Sequence, residues 1–267
     1  MYQYIKVEEA IGWANIKLDR AKGVVFLRPQ MCEEIAQAAE SLAARSDIKC
    51  IVISGEGKHF CAGYDVATEL EANDSKAIWV ANRRIQDAFA RLNALPVVTI
   101  CALQGYVIGA GMLLAAVCNL RYATADATFY IPELDMGIPF SLGGVATIAR
   151  YIGITRTTEL VLTCNRITAD SSYMDGFVTR VVESDQLMNH VGKIAKGIAE
   201  RPNSLILSSL STIREAERGL MPNPASDLFT MTISNRVSLV LAAGFLALAL
   251  LSGMPFLDIL SHIGAGA

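Results

Sequence analysis

One stretch constrains the fold of this chain more than any other: PVVTICALQGYVIGAGMLLAAVC, from Pro96 to Cys118. It opens on the β-branched apolar run Val97-Val98-Thr99-Ile100, which reads as a buried strand. A glycine-spaced turn follows, Gly105-Tyr-Val-Ile-Gly109-Ala-Gly111, and then a small apolar helix from Met112 to Cys118. Strand, tight glycine turn and helix start together make an anion site. Glycine lets the backbone approach a ligand closely. The first amide N–H groups of a helix are unpaired and sit at its positive end. Such a site holds a phosphate or a developing oxyanion. No charge falls between Arg91 and Arg121, a length that can span a bilayer, and Gly105 and Gly109 have the spacing of a membrane helix-packing pattern. Pro96, the Val-Val-Thr-Ile run and Gln104 fit strand–turn–helix better than one continuous helix.

Composition narrows the class. With 267 residues and 52% apolar content, the chain suits one large domain, or a domain with a small appendage, and a sizeable core. A net charge of −3 gives no electrostatic basis for nucleic-acid binding. The six cysteines include no C-x-x-C pair, so they read as reduced, buried thiols of a cytoplasmic protein. The three histidines lie far apart, which argues against a His/Cys zinc site. The opening MYQYIKVEEA lacks the basic and apolar regions of a signal peptide.

Taken in order, Ala14 to Leu18 alternates as a strand and Asp19 to Gly23 is a turn. Pro29 suits the first turn of a helix running to about Ala44, with Met31, Ile35, Ala38 and Leu42 on one face. Lys49 to Ser54 is a buried strand. The loop Lys58-His-Phe-Cys-Ala-Gly-Tyr-Asp65 follows it, and Asp74 to Leu95 is an amphipathic helix. After the central stretch, Asn119 to Ala123 and Ala127 to Ile131 read as short strands. The loop Pro132 to Pro139 carries the carboxylate of Glu133 close to an apolar wall. Helices are expected over Gly144 to Tyr151, Arg156 to Thr163, Ala169 to Met174, Gln186 to Glu200 and Ser204 to Gly219, with a strand at Val178 to Val182. This order predicts an α/β core with a helical C-terminal part. The division expected is a core over 1–200 and a helical region over 201–267.

Three loops carry chemistry together. Cys61-Ala62-Gly63 and Gly109-Ala110-Gly111 are glycine turns after strands, and the third loop holds Glu133. Two N–H donors from different loops, aimed at one point, make an oxyanion hole. A carboxylate opposite them takes or gives a proton at a carbon beside a carbonyl. That equipment suits enolate chemistry on a thioester. A plain turn, an exposed loop carboxylate, or a salt bridge from Glu133 to Arg121 or Arg150 are the structural alternatives.

Phe60-Cys-Ala-Gly-Tyr-Asp65, Gly105-Tyr-Val-Ile-Gly-Ala-Gly111, Cys118-Asn-Leu-Arg-Tyr-Ala123, and Pro132-Glu133 with Gly143-Gly144 together resemble the crotonase (enoyl-CoA hydratase/isomerase) superfamily. Order and spacing match from about Ile11 to Leu210. The resemblance implies a spiral of strand–strand–helix turns and a helical C-terminal region that forms homotrimers or dimers of trimers. It also implies an acyl-CoA substrate, with coenzyme A as part of that substrate and no separate cofactor or metal. By motif the thioester oxygen is held by the N–H groups of Ala62 and Ala110. Gly63, Tyr64, Asp65, Gly109, Gly111 and Leu113 are the further substrate-binding candidates. Ala110 stands where a glycine is usual; its N–H survives the change.

Hydratases of this superfamily use two glutamates. One position is Glu133; the other is occupied here by Leu113, which cannot orient water or shuttle a proton. Single-glutamate relatives include Δ3,Δ2-enoyl-CoA isomerases and carbon–carbon bond-forming synthases. The reading that follows is an enoyl-CoA isomerase of fatty-acid metabolism with Glu133 as its one base, in a pocket walled by Leu113, Met112, Ile138 and Phe140. Hydration, another single-glutamate reaction and a non-catalytic acyl-CoA-binding subunit are the alternatives.

Weaker candidates surround this set. Asp65 is expected to tie its loop through side-chain to backbone hydrogen bonds, or to cap a helix. Tyr64 lines the acyl or pantetheine pocket, or simply packs. His59 reads as a solvated loop histidine. Asp135 is a second carboxylate or a solvent-facing one. Lys22 and Arg28 are candidates for CoA phosphates, although Gly23-Val-Val-Phe-Leu-Arg28 departs from the superfamily's usual segment. The tail departs further: Val237 to Leu251 reads VSLVLAAGFLALALL, apolar but for Ser238, and Asp258 is the only charged side chain from there to Ala267. Its readings are a helix buried on a neighbouring subunit, a membrane-associated tail, or an altered end to the gene product.

Overall fold

A computed structural model describes residues 2–19, 23–65 and 75–217. The chain divides into two compact units, Met1–Ile206 and Leu207–Ala267, and the second is described only as far as Glu217. Lys22 and the apolar tail from 237 onward lie outside the described residues, as does most of the region expected to mediate trimerisation.

The first unit is built on a six-stranded sheet of order β1-β2-β3-β4-β6-β9. Its strands are β1 (Ile5–Ala10), β2 (Trp13–Leu18), β3 (Cys50–Gly55), β4 (Val98–Leu103), β6 (Leu120–Thr124) and β9 (Arg180–Val182). β1 pairs antiparallel with β2, and every other neighbouring pair is parallel. A second sheet of three strands has the order β5 (Tyr106–Ile108), β7 (Thr128–Tyr130), β8 (Ile167–Thr168).

Parallel strands covered on both faces read as continuous apolar runs, and β3 is buried at every residue. Cys50 and Val52 of β3, with Ile100 and Ala102 of β4, face α6 (Leu187–Ala199) through Leu187, Val191 and Ala195. Ile51, Ile53, Cys101 and Leu103 face the larger core, which includes α1 (Pro29–Ala43), α2 (Ser75–Asn93) and α3 (Ala110–Ala116). Pro29 occupies the first turn of α1, and Met31, Ile35, Ala38 and Leu42 are all buried, as the spacing predicts. α4 (Gly144–Thr163) is two helical pieces that break at Gly153, matching the two helices expected there. α5 is Ala169–Met174 and α7 is Asn203–Glu217.

Three elements differ from the sequence reading. β1 is a strand that the sequence reading does not assign, and it pairs along its whole length with β2, from Ile5 opposite Leu18 to Ala10 opposite Trp13. Tyr106–Ile108 forms a strand inside the expected glycine turn because Thr128–Tyr130 lies beside it in register. Ile167–Thr168 adds a two-residue edge to β7. Among the described residues, no helix is long and apolar enough to cross a membrane. The uncharged stretch after Arg91 is strand, strand and helix.

Candidate active site

The loop after β3 is threaded between two extended segments. On one side Cys61 N–H donates to Tyr106 O at 2.9 Å, and Cys61 O accepts from Ile108 N–H at 3.0 Å. On the other side Ala62 N–H donates to Val25 O at 2.8 Å. Leu27 N–H donates to Gly63 O at 2.8 Å, and Leu27 O accepts from Asp65 N–H at 2.9 Å. Leu27 thus bridges Tyr64 in the parallel manner. In such a bridge one residue bonds the two neighbours of its partner, so the partner's own N–H points away. Tyr64 N–H accordingly has no partner among the described residues.

The sequence expectation is therefore corrected at this loop. Ala62 N–H is already engaged with Val25 and is not an available donor. The open N–H belongs to Tyr64, two residues on. The signal that locates it is the segment Val25–Leu27, whose pairing across the loop decides which amides are spent.

The second loop supplies the facing donor. β5 runs into Gly109, whose φ of 50° and ψ of −119° turn the chain directly into α3. Ala110 is the first residue of that helix, so its N–H has no intrahelical partner. The two loops touch: a β-carbon built on Gly63 would lie 3.2 Å from Ile108 O and 3.9 Å from Ala110 N. Gly63 itself has a φ of 102°, a conformation that side chains other than glycine rarely adopt.

Glu133 closes the third side. Its loop is held as a turn, with Ile138 N–H donating to Glu133 O at 2.9 Å. The carboxyl folds over Gly109, with Oε1 only 2.6 Å from where a β-carbon on that glycine would sit. Its Oε2 is shielded from solvent and has no hydrogen-bond partner among the described residues. Burial pushes the carboxyl up to about 7, because the charged form loses hydration without gaining a cation. The expected alternative of a salt bridge to Arg121 is excluded. That guanidinium is buried and donates to the carbonyls of Phe177 and Cys118.

A cleft of ≈ 650 Å³, counted out to its mouth, joins these parts, and Ala62, Gly63, Tyr64, Gly109, Ala110, Leu113 and Glu133 all line it. A strand-borne amide, a helix-start amide and one buried carboxyl converge on it. A family model described as enoyl-CoA hydratase/isomerase matches residues 8–220. The chain belongs to that family.

Relatives agree with the assignment. This family member is 29% identical over 199 residues to a short-chain-enoyl-CoA hydratase of Clostridium acetobutylicum, covering 73% of this chain and 75% of that one. It is 32% identical over 179 residues to a peroxisomal Delta(3,5)-Delta(2,4)-dienoyl-CoA isomerase of Arabidopsis thaliana, covering 62% of this chain and 64% of the relative. An enoyl-CoA hydratase structure from Bacillus anthracis shares the fold with a TM-score of 0.79 at 23% identity, covering 87% of this chain and 90% of that one. The crotonase fold expected from the motifs is the fold observed.

Within this enoyl-CoA hydratase/isomerase cleft the remaining candidates separate. Leu113 is 1% exposed and lines the cleft, so the position compared above with the hydratases' second glutamate is apolar here. Ile138 and Phe140 form the expected wall, joined by Met136 and Leu142. Met112 does not; it packs toward Phe129 and Ile131 on the other side of α3. Gly111 does not face the cleft either. A β-carbon there would meet the Cys61 side chain at 2.8 Å, so this glycine lets α3 press on the first loop.

Asp65 is not among the residues lining the cleft. Its Oδ2 accepts from Arg28 Nε at 2.9 Å and from an Arg28 terminal nitrogen at 2.6 Å. This ion pair fastens the loop to the start of α1, and it engages Arg28, which the sequence reading offered to CoA phosphates. His59 is not merely solvated. Its ring stacks on Tyr106 at 4.0 Å, and Nδ1 accepts from Tyr106 N–H at 3.1 Å. Asp135 is exposed and accepts from Tyr130 Oη at 2.6 Å, outside the cleft lining. The lining residues that sequence reasoning did not single out are Phe26, Asn82, Met136, Ser141 and Leu142.

Proposed function

We propose that this enzyme is an enoyl-CoA isomerase that shifts a double bond through a thioester enolate, with Glu133 as its only acid–base group. The observation that carries the reading is the pairing of one buried carboxyl with one apolar residue. Among the described residues Glu133 is the only carboxyl lining the cleft, and the hydratase's second glutamate position is Leu113.

The mechanism follows from those parts. Ionised Glu133 takes the proton from the carbon between the thioester carbonyl and the double bond of a 3-enoyl-CoA. The electron pair moves onto the thioester oxygen. The N–H groups of Tyr64 and Ala110 hold that oxygen as its charge develops. The enolate collapses as neutral Glu133 returns the proton to the carbon at the far end of the conjugated system. The product is the 2-enoyl-CoA, and Glu133 is again ionised. A carboxyl with a pKa near 7 suits both halves, since it is basic enough to abstract and acidic enough to return. Exclusion of water by Leu113, Ile138 and Phe140 keeps the enolate for the returning proton.

Coenzyme A enters and leaves as part of the substrate, and no further cofactor takes part. The superfamily resemblance supports assembly as a homotrimer or a dimer of trimers and a place in fatty-acid metabolism, and six cysteines without a C-x-x-C pair support a cytoplasmic setting.

A paired turnover assay tests the reading. One sample receives a 3-enoyl-CoA and is followed for the conjugated 2-enoyl product; the other receives a 2-enoyl-CoA and is followed for loss of that conjugation. Isomerisation without hydration is expected. Efficient hydration would replace the proposal with the activity that the Clostridium relative's name carries, and would require a second water-activating group.

A further inference from the structure

We propose that this cleft selects acyl-CoA thioesters whose acyl chain bears a neutral oxygen substituent, a hydroxyl or a keto group, which the Tyr64 hydroxyl binds. The inference rests on the acyl-CoA reading above and adds the kind of acyl group. Tyr64 lines the cleft beside Glu133. Its Oη is shielded from solvent and has no hydrogen-bond partner among the described residues. A buried hydroxyl left without a partner costs free energy, and native structures pair nearly all such groups. Packing alone does not call for the hydroxyl, since a phenylalanine ring would fill the same space. The proposed chemistry uses only the backbone N–H of Tyr64, so it leaves the hydroxyl unused.

A second polar group shares the cleft. Asn82 reaches it from α2, and its amide makes no hydrogen bond among the described residues. The cleft wall is therefore largely apolar, with the neutral polar side chains of Tyr64, Asn82 and Ser141 set in it, a pattern that fixes the orientation of a polar ligand. Charge narrows the class. No Lys or Arg lines the cleft among the described residues, so an acyl carboxylate would be desolvated beside Glu133 with nothing to offset it. A hydroxyl or a keto oxygen meets no such penalty, and tyrosine both donates and accepts.

Calorimetric titration with saturated thioesters, which have no double bond to move, tests this apart from turnover. The probes are hexanoyl-CoA and the hydroxyhexanoyl-CoA isomers with the hydroxyl on the fourth, fifth or sixth carbon. The wild-type protein is expected to bind at least one isomer about tenfold more tightly than hexanoyl-CoA. In Tyr64→Phe, which keeps the ring and the backbone N–H, that ratio should fall to about one. Equal or tighter binding of hexanoyl-CoA by the wild type overturns the proposal whether or not the variant folds. So does a preference that survives in Tyr64→Phe. If hexanoyl-CoA binds but no isomer is preferred, the acyl-CoA reading stands and this inference fails. If no thioester binds at all, both fail.

Discussion

The carboxyl of Glu133 sits directly over Gly109: its Oε1 lies 2.6 Å from the point a β-carbon on that glycine would occupy. The glycine that turns β5 into α3 and the proposed base thus share one space. The absence of a side chain at position 109 is a condition for where the carboxyl lies. Gly109→Ala is expected to displace Glu133 and to strain a backbone at φ 50°. Turnover should fall by about 10²-fold or more, and the variant should lose ~1–2 kcal/mol of stability. Paired kinetic and chemical-denaturation measurements check both effects.

Removing the charge without the shape separates binding from chemistry. Glu133→Gln keeps the volume of the side chain and loses its basicity. Isomerisation should drop by about 10²–10⁴-fold, while saturated acyl-CoA binding changes by less than about threefold. Unchanged turnover would remove Glu133 from the mechanism.

The pH dependence has a stated direction in two experiments. Glu133 must be ionised to take a proton, so kcat/KM for isomerisation should rise with pH through about 7 and then level off. Stability moves the other way. Folding raises this carboxyl from 4.5 to about 7, so the native state holds the proton more tightly than the unfolded chain. The contribution to stability is complete below about 4.5 and is lost as pH rises toward 7. Measured by melting temperature, the wild type should lose ground to Glu133→Gln across that interval and not beyond it.

Asp65 and Arg28 hold the loop after β3 to the start of α1, with the carboxylate largely buried and the guanidinium partly exposed. Arg28→Ala should cost about 1 kcal/mol or less, because the exposed partner is screened by solvent. Turnover should fall more than that loss of stability implies, since the pair steadies the strand pairing that leaves Tyr64 N–H open. Equal turnover at full folding would show that the backbone bonds to Leu27 hold the loop unaided.

Much of the fold and part of the candidate site are legible in the sequence, and the boundary between what is and is not legible has a physical origin. Glycines, the Pro-Glu loop and helical spacing are local signals, and Gly63, Gly109, Ala110, Leu113 and Glu133, which they single out, all line the cleft. Strand β5 is three residues within a glycine-rich run, and it exists because β7 lies alongside it. The donor assignment fails at Ala62 for the same reason. Which amide of a loop is free depends on what pairs with its neighbours, and Val25 and Leu27 come from a segment some forty residues earlier. The partner of Asp65 is equally distant in sequence.

The threading of Cys61 to Asp65 between two extended segments sets a limit on length. Cys61 is in register with β5 on one side, and the next residues are in register with Val25 and Leu27 on the other. Because the two pairings are consecutive, the loop has no slack residue between them. An insertion or deletion of one residue here cannot be taken up locally, since side chains and amides alternate in direction along extended chain. It would shift which amide of the loop is left unpaired, moving the open N–H off Tyr64. Variation among proteins sharing this arrangement should therefore appear as substitutions between positions 61 and 65, with gaps confined to the flanking turns.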